Sequence, residues 1–310
     1  MAFASGSRHG LSYVAETEFG TTPSTPELKP WRHNTTTLGL EKASVESEEI
    51  RADRQIADVR HGTRSGSGDV VSELSFESFD DILEAALGGT WTALSPSGEE
   101  LTAGVERRSF TVQREFADIE RFQIFRGVQV NTMGLNVEPN AMVNVTFGLW
   151  AQDMELSGTV ITGSTEASAT TSSPVDSFTG VIEEGGSEIA TVFSLELSLD
   201  NGLESRNRVG SMTSAEPSIA RSNVSGTATA YLETDAMLAK FVNETESSLS
   251  VELLGTDGNG YKVTLPRIKY MTGRADVTGD GDILIPMEFR ALYDATADTN
   301  ILIEKVVNGS

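Results

Sequence analysis

Phe193-Ser194-Leu195-Glu196-Leu197-Ser198-Leu199-Asp200-Asn201-Gly202 changes character at every step. In an extended chain Phe193, Leu195, Leu197 and Leu199 fall on one face, and Ser194, Glu196, Ser198 and Asp200 on the other. The Asn201-Gly202 pair then supplies the residues of a tight hairpin turn. The same alternation recurs on both sides of this stretch. Val143, Val145, Phe147 and Leu149 alternate with Asn144, Thr146 and Gly148. Leu249, Val251 and Leu253 lead through Thr256-Asp257-Gly258-Asn259-Gly260 into Tyr261, Val263 and Leu265, a second hairpin by pattern. Ile283, Ile285, Met287 and Phe289 read as a further strand, and Ile301 with Ile303 as one that closes the sheet. Strands with one apolar and one polar face make a mainly β fold, a sandwich or barrel with solvated outer surfaces.

Helical spacing is confined to two places. Phe79, Ile82, Leu83, Ala86 and Leu87 form one stripe, which predicts a flanking helix over 78–88. Ser78 is placed to cap it, Asp80 and Asp81 suit its positive end, and Gly88-Gly89 stops it. A shorter helix is expected over 234–243, with Thr234 as cap and Met237, Leu238 and Phe241 facing inward. No linker divides the chain, so 1–310 reads as a single domain.

The chain has 310 residues and a formal net charge of −23, which argues against an outer surface that grips nucleic acid. It has no cysteine, and hence no disulfide framework and no thiolate nucleophile. The first residues show no basic-then-apolar leader, and no apolar run is long enough for a membrane helix.

The charge is unevenly spread. Residues 50–69 are polar and glycine-rich toward their end, and they carry Arg51, Arg54, Arg60, His61 and Arg64, a basic island expected to be a long loop. Residues 157–191 are rich in Ser, Thr and Gly and read as a hairpin arm or surface loop. From Gly127 through Ser205 there is no Lys or Arg but there are eleven acids. An even spread of the cations would place about six there.

Residues for catalysis are not assembled by the sequence. His9, His33 and His61 lack ligand spacing to one another, and no Gly-x-Ser-x-Gly elbow occurs. Asp276-Val277-Thr278-Gly279-Asp280-Gly281-Asp282 resembles a calcium loop, but Met287 stands where an EF-hand needs Glu, and a turn between strands accounts for it. Gly62-Thr63-Arg64-Ser65-Gly66-Ser67-Gly68 lacks the Gly-Lys-Ser/Thr ending of a phosphate loop. Glu183-Glu184 and Glu48-Glu49 are neighbours only in sequence, and adjacent strand residues point to opposite faces. The expectation is no catalytic residue, no metal and no cofactor.

Several segments in a fixed order carry a family resemblance. Arg51-Ala52-Asp53-Arg54-Gln55-Ile56-Ala57-Asp58-Val59-Arg60-His61-Gly62 is followed by Glu73-Leu74-Ser75-Phe76 and by Phe79-Asp80-Asp81-Ile82-Leu83-Glu84-Ala85-Ala86-Leu87. Val143 to Trp150, Leu265-Pro266-Arg267-Ile268-Lys269 and Ile285 to Leu292 complete the set. Together they resemble the major tail tube proteins of long-tailed, non-contractile phages, over about residues 38–303.

The resemblance implies a non-enzymatic virion protein, made in the host bacterial cytoplasm, whose hexameric rings stack into a tube. The partners it implies are further copies of the chain, a tape measure protein in the lumen, and tail terminator and tail tip proteins. DNA crosses the lumen transiently and no membrane is involved. The segment matching 50–69, with Arg51, Arg54, Arg60, His61 and Arg64, would make contacts between rings. An anionic lumen would let DNA slide, and Glu155, Glu196 and Asp200 are the candidate lumen-facing acids. The rival reading is a β-sandwich adhesin or carbohydrate-binding module, which would present exposed aromatics, for which Trp31, Trp91 and Trp150 are the sequence's only tryptophans.

Overall fold

The computed structural model describes residues 3–94, 98–189, 191–277 and 279–308. Its organising element is the strand Arg121–Val137, seventeen residues long, which belongs to two sheets at once. Its first half pairs with Phe110–Phe116 on one side and Asp153–Ser157 on the other. Its second half pairs with Asn144–Ala151 and Val192–Asp200. Between the halves Gly127 adopts φ 62, a left-handed conformation that glycine enters without steric cost. A Cβ there would lie 2.9 Å from both the Gln152 Cβ and the Phe19 ring.

The bend is clamped by one carboxylate. Glu16 Oε1 accepts hydrogen bonds from Gly127 N–H (3.0 Å) and Thr111 Oγ1 (2.8 Å). Its Oε2 accepts from Gly20 N–H and Ser109 Oγ, both at 2.7 Å. Four donors converge on an anion with no cation beside it in this set, the arrangement in which hydrogen bonds to a charged acceptor are strongest.

The larger sheet runs Gly39–Glu46, Val59–Glu73, Asn144–Ala151, Arg121–Val137, Val192–Asp200, Asn223–Tyr231, Leu284–Ala291, Gly260–Tyr270, Ser247–Leu254 and Val181–Glu184, every neighbouring pair antiparallel. It curls so that Leu195 and Leu197 close on Leu249, Val251, Val263, Leu265 and Phe289. The smaller sheet adds Glu27–Pro30 and His9–Ala15 beyond Phe110–Phe116. The sheets stay open, so the fold is sandwich-like and mainly β, and no barrel closes. One core cluster gathers side chains from Leu11 to Ile303.

The helix Asp80–Leu87 buries Ile82, Leu83, Ala86 and Leu87, and Gly88 ends it in the left-handed region. Its N-cap is Phe79; the Ser78 hydroxyl is drawn instead to Ser75 (2.7 Å) and Thr170 (2.5 Å). Asp80 binds Tyr261 Oη at 2.8 Å and Lys305 Nζ at 2.7 Å, while Lys305 also meets Glu99 and lies over the Trp91 ring. Lys305 stands on Leu302–Val306, a strand inserted between Gly260–Tyr270 and Glu99–Thr102. The second helix is Ala236–Val242; Asp235 holds its N-cap position without a side-chain bond, the Thr234 hydroxyl accepts from Ala236 N–H at 3.4 Å, and Met237, Leu238 and Phe241 pack against the core.

The hairpin from Leu249 to Leu265 forms in the expected register, with Val251 opposite Val263. Three other expectations are corrected. Asn201-Gly202 makes no tight hairpin, because the buried Asn201 amide donates to Ala86 O and Val130 O and the chain leaves the sheet until Asn223. Phe193 falls at a register irregularity and packs edge-on against Tyr231, partly exposed. Of the loop expected over 50–69, residues 59–69 belong to the strand Val59–Glu73. Residues 157–189 run as an extended strap that buries Ile161 and Val175 and ends in the small hairpin Val181–Glu184/Ser187–Glu188.

At the N-terminal strand the hydrogen bonds fix a tautomer chain. Arg114 Nε can only donate, so His9 Nε2, 3.2 Å away, is the acceptor and His9 Nδ1 carries the proton. His9 Nδ1 then donates to His33 Nε2 (2.9 Å), and His33 Nδ1 donates to the Trp31 carbonyl (3.0 Å). Burial, the Arg114 charge and His33 pull the His9 pKa down to about 4.

Two outcomes follow from these contacts. Glu16→Ala strands buried donors at the bend, and it is expected to lower unfolding stability by about 3 kcal/mol in urea titration, Glu16→Gln less. A His9 pKa depressed on folding means the unfolded chain binds the extra proton. Its contribution is therefore complete above the unfolded value of 6.5 and is lost as pH falls toward about 4. Between pH 7.5 and 5 the melting temperature of the native chain should drop further than that of His9→Gln; equal drops would exclude this linkage.

Candidate assembly surfaces

The strand Val59–Glu73 has two lives. Its later part, from Gly66, pairs with Asn144–Ala151 inside the sheet. Its earlier part pairs with Gly39–Glu46, touches Met212 and Thr213 at Arg64, and runs out of the body as an arm, roughly 20 Å beyond Gly66. Every residue from Glu41 to His61 is exposed. Ile50 is 99% exposed, and Val45, Ile56 and Val59 are exposed as well. A two-stranded ribbon without a buried face has little stability of its own in water.

Three of the candidate cations of this arm are already paired. Arg51 forms a two-pronged bond to Asp53 (3.0 and 2.8 Å), which holds that carboxyl below its ordinary pKa. Arg60 pairs with Asp58 at 2.8 Å, and Arg64, at the arm's base, with Asp153 at 2.6 Å. Arg54 sits at φ 59 with no ion pair among the described residues, and His61 stands opposite Ser44. The basic island is thus locally neutralised. Over 46–58 the arm's tip carries Glu46, Glu48, Glu49, Asp53 and Asp58 against Arg51 and Arg54.

The second surface is the polar face of the larger sheet. Leu195, Leu197 and Leu199 are buried while Glu196, Ser198 and Asp200 are exposed, as the alternation requires. Cross-strand partners share a face. Glu196 lies opposite Asn136 and Thr227, Ser198 opposite Gly134 and Ser225, and Asp200 opposite Thr132 and Asn223. Thr146 and Gly148 continue the face beyond Gly134 and Thr132, and Glu288 and Arg290 continue it beyond Thr227 and Ser225. A shallow trough of about 660 Å³ runs along it. The face is hydroxyl- and amide-rich, with acids outnumbering Arg290.

Glu155 does not join this face. It lies in the smaller sheet opposite Ile124, and it pairs with Arg126 at 2.8 Å. Sequence reasoning also missed a hairpin. The excursion after Asp200 folds into Glu204–Arg206 paired with Ala215–Ser218, with Val209 fully out in solvent and Arg206 and Arg208 exposed. The available signal was the pair of cations that ends the cation-free stretch.

Among the described residues no group of three or more His, Asp or Glu side chains is gathered as a metal would need. The turn at 276–282 includes Thr278, which lies outside the described residues, and Asp276 there pairs with Arg274. Trp31 and Trp150 are buried and Trp91 lies beneath Lys305, so no tryptophan platform faces solvent. No helix among the described residues is long and apolar enough to cross a membrane.

No curated protein matches the chain. A family model described as phage tail tube protein matches residues 6–291, nearly the whole chain. With the model covering nearly all of a mainly β chain, the chain belongs to the phage tail tube protein family.

Proposed function

We propose that this structural tail protein assembles into hexameric rings that stack into the tube of a long non-contractile tail, and that DNA crosses the lumen during ejection. The observation that carries the reading is the arm: an exposed ribbon with apolar residues on its tip gains stability only when another surface covers it. Stacked copies supply such a surface and also cover open sheet edges that otherwise invite uncontrolled pairing. The arm is the contact between rings, and a tape measure protein fills the lumen before DNA does. Terminator and tip proteins bound the tube. The chain is made in the host cytoplasm and ends in the virion tail.

The polar face with Glu196 and Asp200 lines the channel in this reading. Duplex DNA carries about one negative charge per 1.7 Å, so a basic wall would release counterions and hold it, while an acidic, hydroxyl-rich wall leaves it free to slide. Glu155, already balanced by Arg126, has no part in this.

Electron microscopy of concentrated or seeded protein should show hollow tubes or rings of six; a chain that stays monomeric even with tail-tip components present would refute the assembly. Glu196→Lys with Asp200→Lys should leave tube formation intact and slow DNA release from assembled phage, and release at the normal rate would remove the acids from the lumen. Limited trypsin digestion should cut after Arg51, Arg54 or Arg60 in free subunits and spare them in tubes. Equal cutting in both states would mean the arm is not covered.

A further inference from the structure

We propose that the hairpin Glu204–Arg206/Ala215–Ser218 receives the arm of a second copy of this chain, an interaction that rests on the tube reading above and names the surface the arm meets. Two protrusions of opposite chemistry stand out in the subunit. The arm's tip presents Glu46, Glu48 and Glu49, none in an ion pair among the described residues, around Val45 and the fully exposed Ile50. The hairpin's tip presents Arg206 and Arg208, likewise in no ion pair among the described residues, flanking Val209, with Met212 two-thirds exposed beside them. Acid and apolar groups on one match base and apolar groups on the other.

In a chain of net charge −23, two copies repel unless cations are free to meet acids. Many cations here are already engaged: Arg51, Arg60, Arg64, Arg107, Arg108, Arg126 and Lys305 among them. The hairpin therefore holds free positive charge where the surface is otherwise anionic. Individual exposed pairs are weak, but the same contact repeated between every neighbouring pair of copies adds, and it buries Ile50 and Val209 together.

The strand register adds geometry. Asp200 pairs with Thr132 and Asn223, Trp150 pairs with Gln129 and Ser67, and the arm continues past Gly66. The hairpin and the arm thus leave the same end of the larger sheet. The Arg64 N–H bond to the Met212 carbonyl, at 2.8 Å, sets the hairpin's connecting loop against the base of the arm.

The test is a charge swap. Arg206→Glu with Arg208→Glu, and separately Glu48→Arg with Glu49→Arg, should each reduce the assembled fraction by about tenfold or more in sedimentation velocity at low salt. The four substitutions together should restore assembly toward the native level. These side chains make no bond within the subunit, so circular dichroism and melting temperature should be unchanged and folding is not at issue. If native protein and both reversals assemble alike, or if the combined variant is no better than either reversal, the pairing is wrong while the tube reading stands. If native protein itself never assembles, the tube reading fails and takes this contact with it.

Discussion

A strand can serve two sheets only if it can turn out of one plane into another without losing its ladder. Gly127 makes that turn here, and the Glu16 carboxylate holds it by binding the Gly127 amide together with Thr111, Ser109 and Gly20. Much of the architecture is referred to this joint. The smaller sheet hangs on the first half of Arg121–Val137 and the curled larger sheet on the second. The polar face with Glu196 and the base of the arm are both registered against the second half, directly or through Asn144–Ala151. The positions of these two candidate surfaces follow from one bent strand.

How much of this was legible in the sequence depended on whether burial was one-sided. Leu195 to Asp200 and Leu249 to Leu265 alternate because one face is core and the other is solvent, and their strands fall where the pattern puts them. The arm strand from Val59 to Asp69 carries no alternation because neither of its faces is buried over most of that length, so a period-two test had nothing to detect. Local signals failed where a distant partner competed for the same group. The Asn201 amide is taken by Ala86 and Val130 carbonyls, and the Ser78 hydroxyl by Ser75 and Thr170, so neither makes its local turn or cap.

The candidate surfaces were partly legible for the same reason. A run without cations is a statement about sequence, and Arg126, one residue before that run, still reaches Glu155. A run of arginines is likewise no patch when Asp53, Asp58 and Asp153 stand beside them. Net charge described the chain well, while pairing decided which charges were left for another molecule. Among the side chains left over are Glu196 and Asp200 on a sheet face, and those of two small tips of opposite sign.

The joining of Leu302–Val306 to Glu99–Thr102 has a kinetic meaning. Lys305 fastens the N-terminal turn of the helix through Asp80, and Ile303 stands opposite Leu101. Contacts between residues so far apart in the chain form slowly, because a long loop must close before any of them is gained. During synthesis the helix therefore waits, its first turn unfastened, until the strand that carries Lys305 has left the ribosome.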